Sequence, residues 1–506
     1  MQVEPSAATF AERYTAGEPQ VVWTTLVADL ETPVSAFLKI ADGRPMSFLL
    51  ESVEGGEVRG RYSIIGLEPD VIFRIIGQRA DINRAPGGAP EAFVPLEAPP
   101  LQALRSLIGE SRIELPDTLP PMAAGVFGYL GYDTVRLMED TLSAPGSDPI
   151  GIADAILIRP TIIVVFDAVK DAITLITPVR PRAQMAAKTA LAQAIERLSA
   201  IVEALDQPLN QSAAAPDVGP FDVTPRSNTT PEEFKQMVHR AKEYIAAGDI
   251  FQVVLSQRFA APFALPPFAL YRALRRVNPS PYLFFLDCGT FAVAGSSPEI
   301  LVKTSGGLVT IRPVAGTRRR GATPHEDKAL EEELLADPKE RAEHLMLLDL
   351  GRNDVGRVAD IGTVEVTDQF FIERFSQVMH IVSNVEGKLR ADRDALDALV
   401  AGFPAGTVSG APKVRAMQIV DELEKEKRGL YAGCVGYFSA GSDMDTCIVL
   451  RTALVKDGVM YVQAGAGIVA DSNPQFEQQE CINKAKALFR AAEEARRFAS
   501  AAERRR

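Results

Sequence analysis

Two pairs of glutamates, each with two residues between its members, are the groups in this sequence best placed to do chemistry. Glu340/Glu343 and Glu477/Glu480 lie in two separate stretches that are both predicted to be helical. Carboxylates that face one another repel unless a cation or a proton lies between them. Mg²⁺ prefers oxygen ligands and usually keeps waters and an anionic substrate around it. The two pairs therefore predict a magnesium-dependent enzyme that acts on a small carboxylate.

Most of these glutamates also have an ordinary structural interpretation. Asp337 and Glu340 have the spacing of a helix N-cap and its capping-box acid. Glu480 has Lys484 one turn later, which is the spacing of a surface ion pair. Glu343 is harder to explain in this way, because apolar residues follow it at i+3, i+4 and i+7. That spacing turns its carboxylate towards the protein interior, where it needs a partner.

Groups suited to an anion are found in two predicted strands near the C-terminal end. One strand, at 447–455, carries Arg451, whose guanidinium can hold a carboxylate through two hydrogen bonds. The other ends near 463–468, where glycines leave backbone N–H groups accessible to an anion. The glycines resemble a dinucleotide fingerprint, but no helix begins inside the turn. The run at 406–413 likewise breaks the spacing of a phosphate-binding loop.

Composition limits the class of protein. The chain has 506 residues, and this length is too great for one ordinary hydrophobic core. Hydrophobic residues make up 46% of the sequence. The net charge of −12 argues against a nucleic-acid partner. The 4 cysteines are widely spaced, as expected in the reducing cytoplasm. The sequence has no apolar leader and no run of 18 apolar residues, so neither export nor a membrane span is expected.

The order of the predicted elements favours an α+β fold. Many predicted strands are joined by short turns such as 456–458, which favours antiparallel pairing. Strand–helix–strand units are few. The stretch 206–229, rich in Pro, Ser, Ala, Asn and Asp, is predicted to link a part at 20–205 to a part at 230–492. A loop is predicted at 84–100, a strand at 459–464, and helices at 183–205, 338–350, 414–425 and 474–497.

Six longer runs together resemble the chorismate-utilising enzymes. They are RPVAGT at 312–317, EHLMLLDL at 343–350, MHIVS at 379–383, FPAGTVSGAPK at 403–413, VLRT at 449–452 and QAGAG at 463–467. The likeness is strong over 230–490 and looser before it. It implies antiparallel β-sheets forming a sandwich-like core with helices outside. It also implies an N-terminal regulatory part and a C-terminal chorismate-binding part.

The resemblance also assigns roles to residues. In this family Mg²⁺ bridges the ring carboxylate of chorismate to the enzyme, which implies Glu343 and Glu480 as ligands and Glu340 and Glu477 as outer-shell acids. Glu299 matches the general acid that protonates the departing ring hydroxyl, and burial is expected to raise its pKa. The remaining catalytic positions are His380, Gln252 and Thr407. The implied substrate-binding positions are Gly316, Thr317, Tyr431, Arg451, Gly465, Ala466, Gly467 and Lys484.

Two positions favour one branch of the family. Members that add water carry a lysine base where this chain has Gln252, and members that form aminodeoxychorismate carry a lysine where it has Ala315. Both residues favour ammonia as the nucleophile and anthranilate as the product, the committed step towards tryptophan. Two alternatives stay open. One is an aminodeoxychorismate-forming enzyme, and the other is a non-catalytic homologue that binds an amino acid.

The resemblance further implies partners and a regulator. No glutaminase nucleophile motif surrounds any cysteine, so ammonia is expected from a separate glutamine amidotransferase subunit, in a heterotetramer of large and small subunits. Feedback inhibition by tryptophan is expected at a site formed by both parts of the chain. The residues implied for that site are Ser52, Pro281, Tyr282 and Leu283.

Overall fold

The computed structural model describes residues 1–27, 29–54, 58–209, 224–375 and 378–499. These residues form strands and helices in mixed order along the chain. The strands are β1 (Gln20–Val27), β2 (Ser47–Glu54), β3 (Val58–Ile76), β4 (Arg79–Asn83), β5 (Val94–Pro95), β6 (Gly125–Leu130), β7 (Ala155–Asp167), β8 (Ala172–Val179), β9 (Arg226–Ser227), β10 (Gln252–Pro262), β11 (Tyr282–Asp287), β12 (Phe291–Ser297), β13 (Ile300–Ser305), β14 (Leu308–Ile311), β15 (Val314–Arg319), β16 (Glu365–Arg374), β17 (Val378–Lys388), β18 (Gly410–Ala411), β19 (Cys434–Ser439), β20 (Met444–Ile448), β21 (Thr452–Lys456) and β22 (Val459–Ile468). The helices are α1 (Ala7–Thr15), α2 (Pro33–Ile40), α3 (Pro100–Glu110), α4 (Ala187–Asp206), α5 (Pro231–Ala247), α6 (Pro267–Val277), α7 (Pro324–Ala336), α8 (Pro338–Gly356), α9 (Ala395–Gly402), α10 (Gly406–Ser409), α11 (Lys413–Leu423) and α12 (Pro474–Ala499).

All of these strands belong to one hydrogen-bonded network, and every pairing between them is antiparallel. The long strands β3 and β7 pair along most of their length, and both strands run through the two layers of the sheet. Their pairing shifts register between Pro69 and Val71, next to Glu68 with a φ of 52°. Because such irregularities bend a strand, the sheet folds over and encloses a core.

The interior between the two layers is filled by apolar side chains from both. Phe48 on β2 stacks on Phe127 on β6, with ring centroids 4.7 Å apart. Helices α2, α4, α6 and α12 pack on the outer face of one layer, and α3, α8 and α9 pack on the outer face of the other. The predicted α+β class, with antiparallel sheet inside and helices outside, is therefore confirmed.

The sheet continues across the boundary predicted between the two parts of the chain. Strand β2 pairs with β11, where Ser52 faces Tyr282, and β6 pairs with β19. Of the predicted linker, 210–223 lies outside the described residues, and β9 lies at its end. The division into 20–205 and 230–492 stays a prediction. None of the described helices is long and apolar enough to cross a membrane.

One predicted strand near the C-terminal end is wrong, and a second is confirmed but is longer than predicted. The strand predicted at 447–455 is two strands, β20 and β21, because the chain turns sharply at Arg451, whose φ is 49°. The strand predicted at 459–464 runs on to Ile468, so the glycines lie inside β22 and not in a turn. In addition, the predicted loop at 84–100 contains β5, and the helix predicted from 183 begins at Ala187.

Candidate active site

Glu299 lies in the two-residue connection between β12 and β13 and is only 4% exposed. Thr407, on the short helix α10, donates a hydrogen bond from Oγ1 to Glu299 Oε1 over 2.7 Å. Burial raises the pKa of Glu299 to about 8, against the lowering effect of hydrogen bonds from Thr407 and from the backbone of Val314. Since its pKa lies above 7, Glu299 is mainly protonated at neutral pH and can donate a proton.

His380, on β17, is held by the neighbouring strand β15. Its Nδ1 lies 2.9 Å from the carbonyl oxygen of Gly316 and 3.1 Å from Thr317 Oγ1. Because a carbonyl oxygen can only accept, Nδ1 carries the hydrogen and Nε2 keeps its lone pair. Burial lowers the pKa of His380 to about 4, and the positive charges of Arg451 and Lys484 contribute to the shift. The imidazole is therefore neutral at pH 7 and lies near two cations.

Arg451 is the residue at which β20 gives way to β21. Burial lowers its pKa, and the electrostatic influence of Tyr431 and Glu480 acts in the opposite direction. Within the described residues, no hydrogen bond or ion pair to the Arg451 guanidinium is found. A largely buried guanidinium without a carboxylate partner is suited to receive a carboxylate from a ligand.

Helices α8 and α12 bring the two glutamate pairs together. Burial raises the pKa of Glu343, and although Lys339 lowers it, repulsion from Glu340, Glu477 and Glu480 raises it further. Burial and repulsion from Glu480 likewise raise the pKa of Glu477, while its hydrogen bond with Ser472 lowers it. The charges on the two helices thus influence one another, and convergence of the four carboxylates on one metal ion stays a prediction.

These carboxylates do not form a closed metal cage. No group of three or more His, Cys, Asp or Glu side chains in the described ranges is placed to hold a metal ion. Lys484 bonds Glu480 Oε1 at 2.7 Å and the carbonyl oxygen of Gly465 at 2.9 Å. The Mg²⁺ site therefore stays a prediction.

The interpretation of Glu340 as a capping-box acid is wrong. Asp337 does cap α8, accepting the backbone N–H groups of Lys339 and Glu340. The Glu340 carboxylate accepts a hydrogen bond from Arg318 Nη1 at 2.9 Å instead. It is also close to the site, because a Cβ on Gly316 would lie 3.2 Å from Glu340 Oε2.

The glycines of β22 leave room for two polar side chains. A Cβ on Gly467 would lie 2.5 Å from Gln252 Nε2, and one on Gly465 would lie 2.8 Å from the Tyr431 hydroxyl oxygen. Both side chains therefore occupy space that a larger residue would fill. The Gln252 Oε1 atom is buried and has no hydrogen-bond partner among the described residues. An unused buried acceptor is unusual and suits a ligand that donates an N–H.

The glycine segment also has an unpaired edge. Strand β22 pairs with β10 from Val459 to Ile468, where Ala466 faces Leu255, but it pairs with β21 only up to Val462. Because the chain turns away at Arg451, the β21 ladder does not reach the glycines. The carbonyl oxygen of Gly465 accepts a hydrogen bond from Lys484 over 2.9 Å, and beyond Val462 this edge has no strand partner among the described residues.

The four residues expected to bind tryptophan line one cavity of about 570 Å³. They are Ser52, Pro281, Tyr282 and Leu283. Ser52 and Tyr282 face each other across β2 and β11. The Leu283 side chain is buried in the core on the helical side of the sheet. The same cavity is lined by Pro298 and Ile300, which flank Glu299 in the chain, and by Val314, so it lies directly beside the general-acid candidate.

Comparison with known proteins agrees with this geometry. The family model described as chorismate binding enzyme matches residues 49–490. The chain belongs to the chorismate-binding enzyme family. It is 56% identical over 491 residues to anthranilate synthase component 1 of Cereibacter sphaeroides, covering 97% of this chain and 98% of that protein. It is 48% identical to the protein of the same name from Pseudomonas aeruginosa, covering 92% and 94%.

A solved structure gives the same result for the fold. The crystal structure of anthranilate synthase component I from Streptococcus pneumoniae TIGR4 superposes with a TM-score of 0.75 at 37% identity, covering 92% of this chain and 98% of that chain. This chain is thus an enzyme of the anthranilate synthase group within the family.

We expect Glu299→Gln to separate proton donation from packing. The amide keeps the shape of the protonated acid but cannot protonate a leaving group, so kcat falls by about 10²–10⁴-fold. Wild-type activity falls above about pH 8, as Glu299 ionises.

The free energy of unfolding of the wild type also falls as the pH rises from about 4.5 to about 8, because the native state binds the proton more tightly than the unfolded chain.

The stability part of this prediction is measured by thermal melting of both proteins between pH 5 and pH 9. The Gln variant lacks the titrating group, so its melting temperature should decline less over this range. Glu493→Gln, at an exposed position of α12, serves as the control for removing a surface charge. Equal pH dependence of melting for wild type and Glu299→Gln would contradict the assignment of a raised pKa to Glu299.

Proposed function

We propose that this chain converts chorismate and ammonia into anthranilate and pyruvate with the help of Mg²⁺, the committed step of tryptophan synthesis. The observation that carries the proposal is the buried Glu299, which is protonated at neutral pH and bonded to Thr407. A neutral carboxylic acid in this place can protonate a ring hydroxyl. The C–O bond then breaks and the hydroxyl leaves as water.

The nucleophile is ammonia, oriented by Gln252. An amide side chain cannot take a proton from water, whereas its free Oε1 can accept a hydrogen bond from the N–H of ammonia. Ammonia adds to the ring beside the ring carboxylate as the hydroxyl departs. The position next to Gly316 holds Ala315 and no lysine amine, so the ring forms no covalent adduct there.

His380 acts in the elimination of pyruvate. Its Nδ1–H is fixed on the Gly316 carbonyl oxygen, which leaves the Nε2 lone pair to take a proton. As the ring proton moves to His380, the enolpyruvyl C–O bond breaks and its electron pair leaves with the enolate. The ring becomes aromatic, and the enolate takes up one proton to give pyruvate. A neutral imidazole is required, and the lowered pKa of His380 keeps it neutral.

The two carboxylates of chorismate are held at opposite ends of the site. Arg451 and Tyr431, with backbone N–H groups near Gly465, grip the enolpyruvyl carboxylate, while Gly316, Thr317 and Lys484 also line the pocket. Glu343 and Glu480 would hold Mg²⁺, which neutralises the ring carboxylate when bound. A cation would suit these residues, because burial, with a further contribution from the neighbouring acids, raises the pKa of Glu343 and so disfavours its unpaired charge.

Ammonia comes from a separate glutamine amidotransferase subunit, in a heterotetramer in the cytoplasm. The relatives of this chain are named component 1, which supports the existence of a second component. The four cysteines are buried, and none has the sequence of a glutaminase nucleophile. The chain therefore depends on a partner for glutamine but not for free ammonia.

Tryptophan inhibits by occupying the cavity of about 570 Å³. The cavity is lined by both parts of the chain, with Ser52 on β2, Tyr282 at the start of β11 and Pro281 just before that strand. Occupation there acts on the connection that carries Glu299, because Pro298 and Ile300 border the cavity on either side of the acid. A small displacement of this connection changes the distance to Thr407.

The function is tested with the purified chain, chorismate, Mg²⁺ and ammonium salt, with product followed by fluorescence and identified by mass and retention time. We expect ortho-aminobenzoate with ammonium and none with glutamine. Glu343→Gln and Glu480→Gln each remove one proposed ligand, so the Mg²⁺ concentration for half-maximal rate should rise by at least about tenfold, within the range for lost metal contacts.

The matched control is Glu493→Gln, which removes an exposed carboxylate from the same helix as Glu480 and should leave the Mg²⁺ dependence unchanged. Formation of aminodeoxychorismate would identify the chain as the other aminating enzyme of the family. Absence of any product, with the protein folded, would favour the non-catalytic homologue.

The regulatory site is tested with Ser52→Phe. The added ring projects from the strand position opposite Tyr282 and fills part of the cavity, so the tryptophan concentration for half-inhibition should rise at least about tenfold, about 1.4 kcal/mol of binding energy. Each variant is compared with its own rate without tryptophan. Thr25→Phe, at an exposed position of β1, is the control for adding an aromatic ring to a strand. Unchanged inhibition in Ser52→Phe would place the tryptophan site elsewhere.

A further inference from the structure

A buried ion pair lies next to the segments that carry Thr407, Gln252 and Tyr431. The side chains of Arg428 and Glu424 are 1% and 6% exposed. Arg428 donates from Nε to Glu424 Oε2 over 2.9 Å and from Nη2 to Glu424 Oε1 over 2.6 Å. Such a pair is stable only when its remaining donors and acceptors are also satisfied. The groups that satisfy them are what make this pair unusual.

The other contacts of Arg428 end on two segments of the site. Its Nη1 donates to the carbonyl oxygen of Val408 over 2.7 Å, and Nη2 donates to that of Val254 over 2.6 Å. Val408 follows Thr407, which bonds Glu299. Val254 lies two residues after Gln252, on the same strand and with its side chain on the same face. One guanidinium thus fixes the backbone beside two proposed catalytic residues.

A third segment is reached through the aromatic rings. The Arg428 guanidinium lies 4.8 Å from the ring centroid of Tyr132 and 5.6 Å from that of Tyr431. The Tyr431 hydroxyl occupies the space left by Gly465. The cation therefore helps to hold the ring that grips the substrate, at a distance suited to a cation–π contact.

Glu424 ties the strand of Gln252 to the glycine strand. Its Oε1 accepts the backbone N–H of Ser256 at 2.8 Å and the Ser256 hydroxyl at 2.9 Å. Ser256 Oγ in turn accepts a hydrogen bond from Gln463 Nε2 at 2.8 Å, and Ser256 faces Gly465 across β10 and β22. The pair therefore contacts α10, β10 and the ring of Tyr431 directly, and it reaches β22 through Ser256.

We propose that Arg428 and Glu424 are positioning residues that set the relative places of Thr407, Gln252 and Tyr431 for the reaction. This inference rests on the function proposed above. A pair that only stabilised the fold would not need contacts of this kind. Arg159 and Asp70, for example, form a bidentate pair with Arg159 9% exposed, and none of its hydrogen bonds reaches a candidate site residue.

Loss of the Arg428 guanidinium, with its forked set of N–H donors, should change the pH dependence of the rate. Loss of stability alone does not produce such a change. Without the bond to its carbonyl oxygen, Val408 is free to shift and to carry Thr407 away from Glu299. The Thr407 hydrogen bond lowers the pKa of Glu299, so a weaker bond allows that pKa to rise. The alkaline limb of the pH–rate profile should then move to higher pH while the rate falls.

The test compares Arg428→Lys with Arg159→Lys, both of which keep the positive charge and lose the fork. We expect kcat/KM for anthranilate formation to fall about 10²-fold in Arg428→Lys, as for a misplacement of about 1 Å, with the alkaline limb shifted upward. Arg159→Lys should change kcat/KM by less than about tenfold and leave the limb in place. The folded state of each variant is checked by circular dichroism and gel filtration.

A folded Arg428→Lys with kcat/KM within about tenfold of wild type, or with lower activity and an unchanged alkaline limb, would overturn the proposal. If Arg428→Lys does not fold, Glu424→Gln gives the decision by the same two readouts, since it keeps the side-chain shape and removes the charge. A wild-type chain that makes no anthranilate would instead refute the proposed function.

Discussion

The proposed chemistry of this protein depends on a single carboxyl group that is kept away from water. Glu299 is buried in the connection between β12 and β13, and desolvation outweighs the hydrogen bonds that would favour its ionised form. The two donors orient the acid without fully stabilising its charge. A protonated acid beside a cavity and beside other proposed catalytic residues keeps its position only if the surrounding strands are held in place. The rest of the fold holds these strands.

In the proposed site, the proton donor lies apart from the charges assigned to substrate binding. Arg451 is directed by the break between β20 and β21, and the same break leaves one edge of the glycine segment without a strand partner. The acids of α8 and α12 form a second charged region, which suits a cation. His380, held neutral by burial, lies near Arg451 and Lys484. Proton transfer and anion binding are thereby assigned to different groups.

Sequence patterns predicted the features that depend on local spacing. The two glutamate pairs lie on helices, α8 and α12, as their spacing indicated. The sequence motif around Glu299 led to the expectation that burial raises its pKa, and the buried position of this carboxyl agrees with that expectation. The residues Ser52 and Tyr282, distant in sequence, were expected to meet and do so. The cavity they line is consistent with that expectation.

The remaining features depend on contacts that sequence alone does not show. Arg451 sits in what reads as an unbroken apolar strand, and only its left-handed backbone reveals the break. Glu340 has the spacing of a capping acid, but Arg318, which precedes it by more than twenty residues, competes successfully for its carboxylate. Arg428 follows Lys427 in a run of charges typical of a solvated surface, yet its side chain is buried. Long-range partners decide each case.

The proposed chemistry requires Glu299 to be protonated at neutral pH. Isotope-edited infrared spectroscopy reports this protonation state. The carboxyl band of glutamate is recorded as a difference between wild type and Glu299→Gln while the pH is raised from 4 to 9. We expect the protonated-acid band assigned to Glu299 to persist at pH 7 and to disappear around pH 8. Disappearance of that band near the ordinary glutamate pKa of about 4.3 would contradict it.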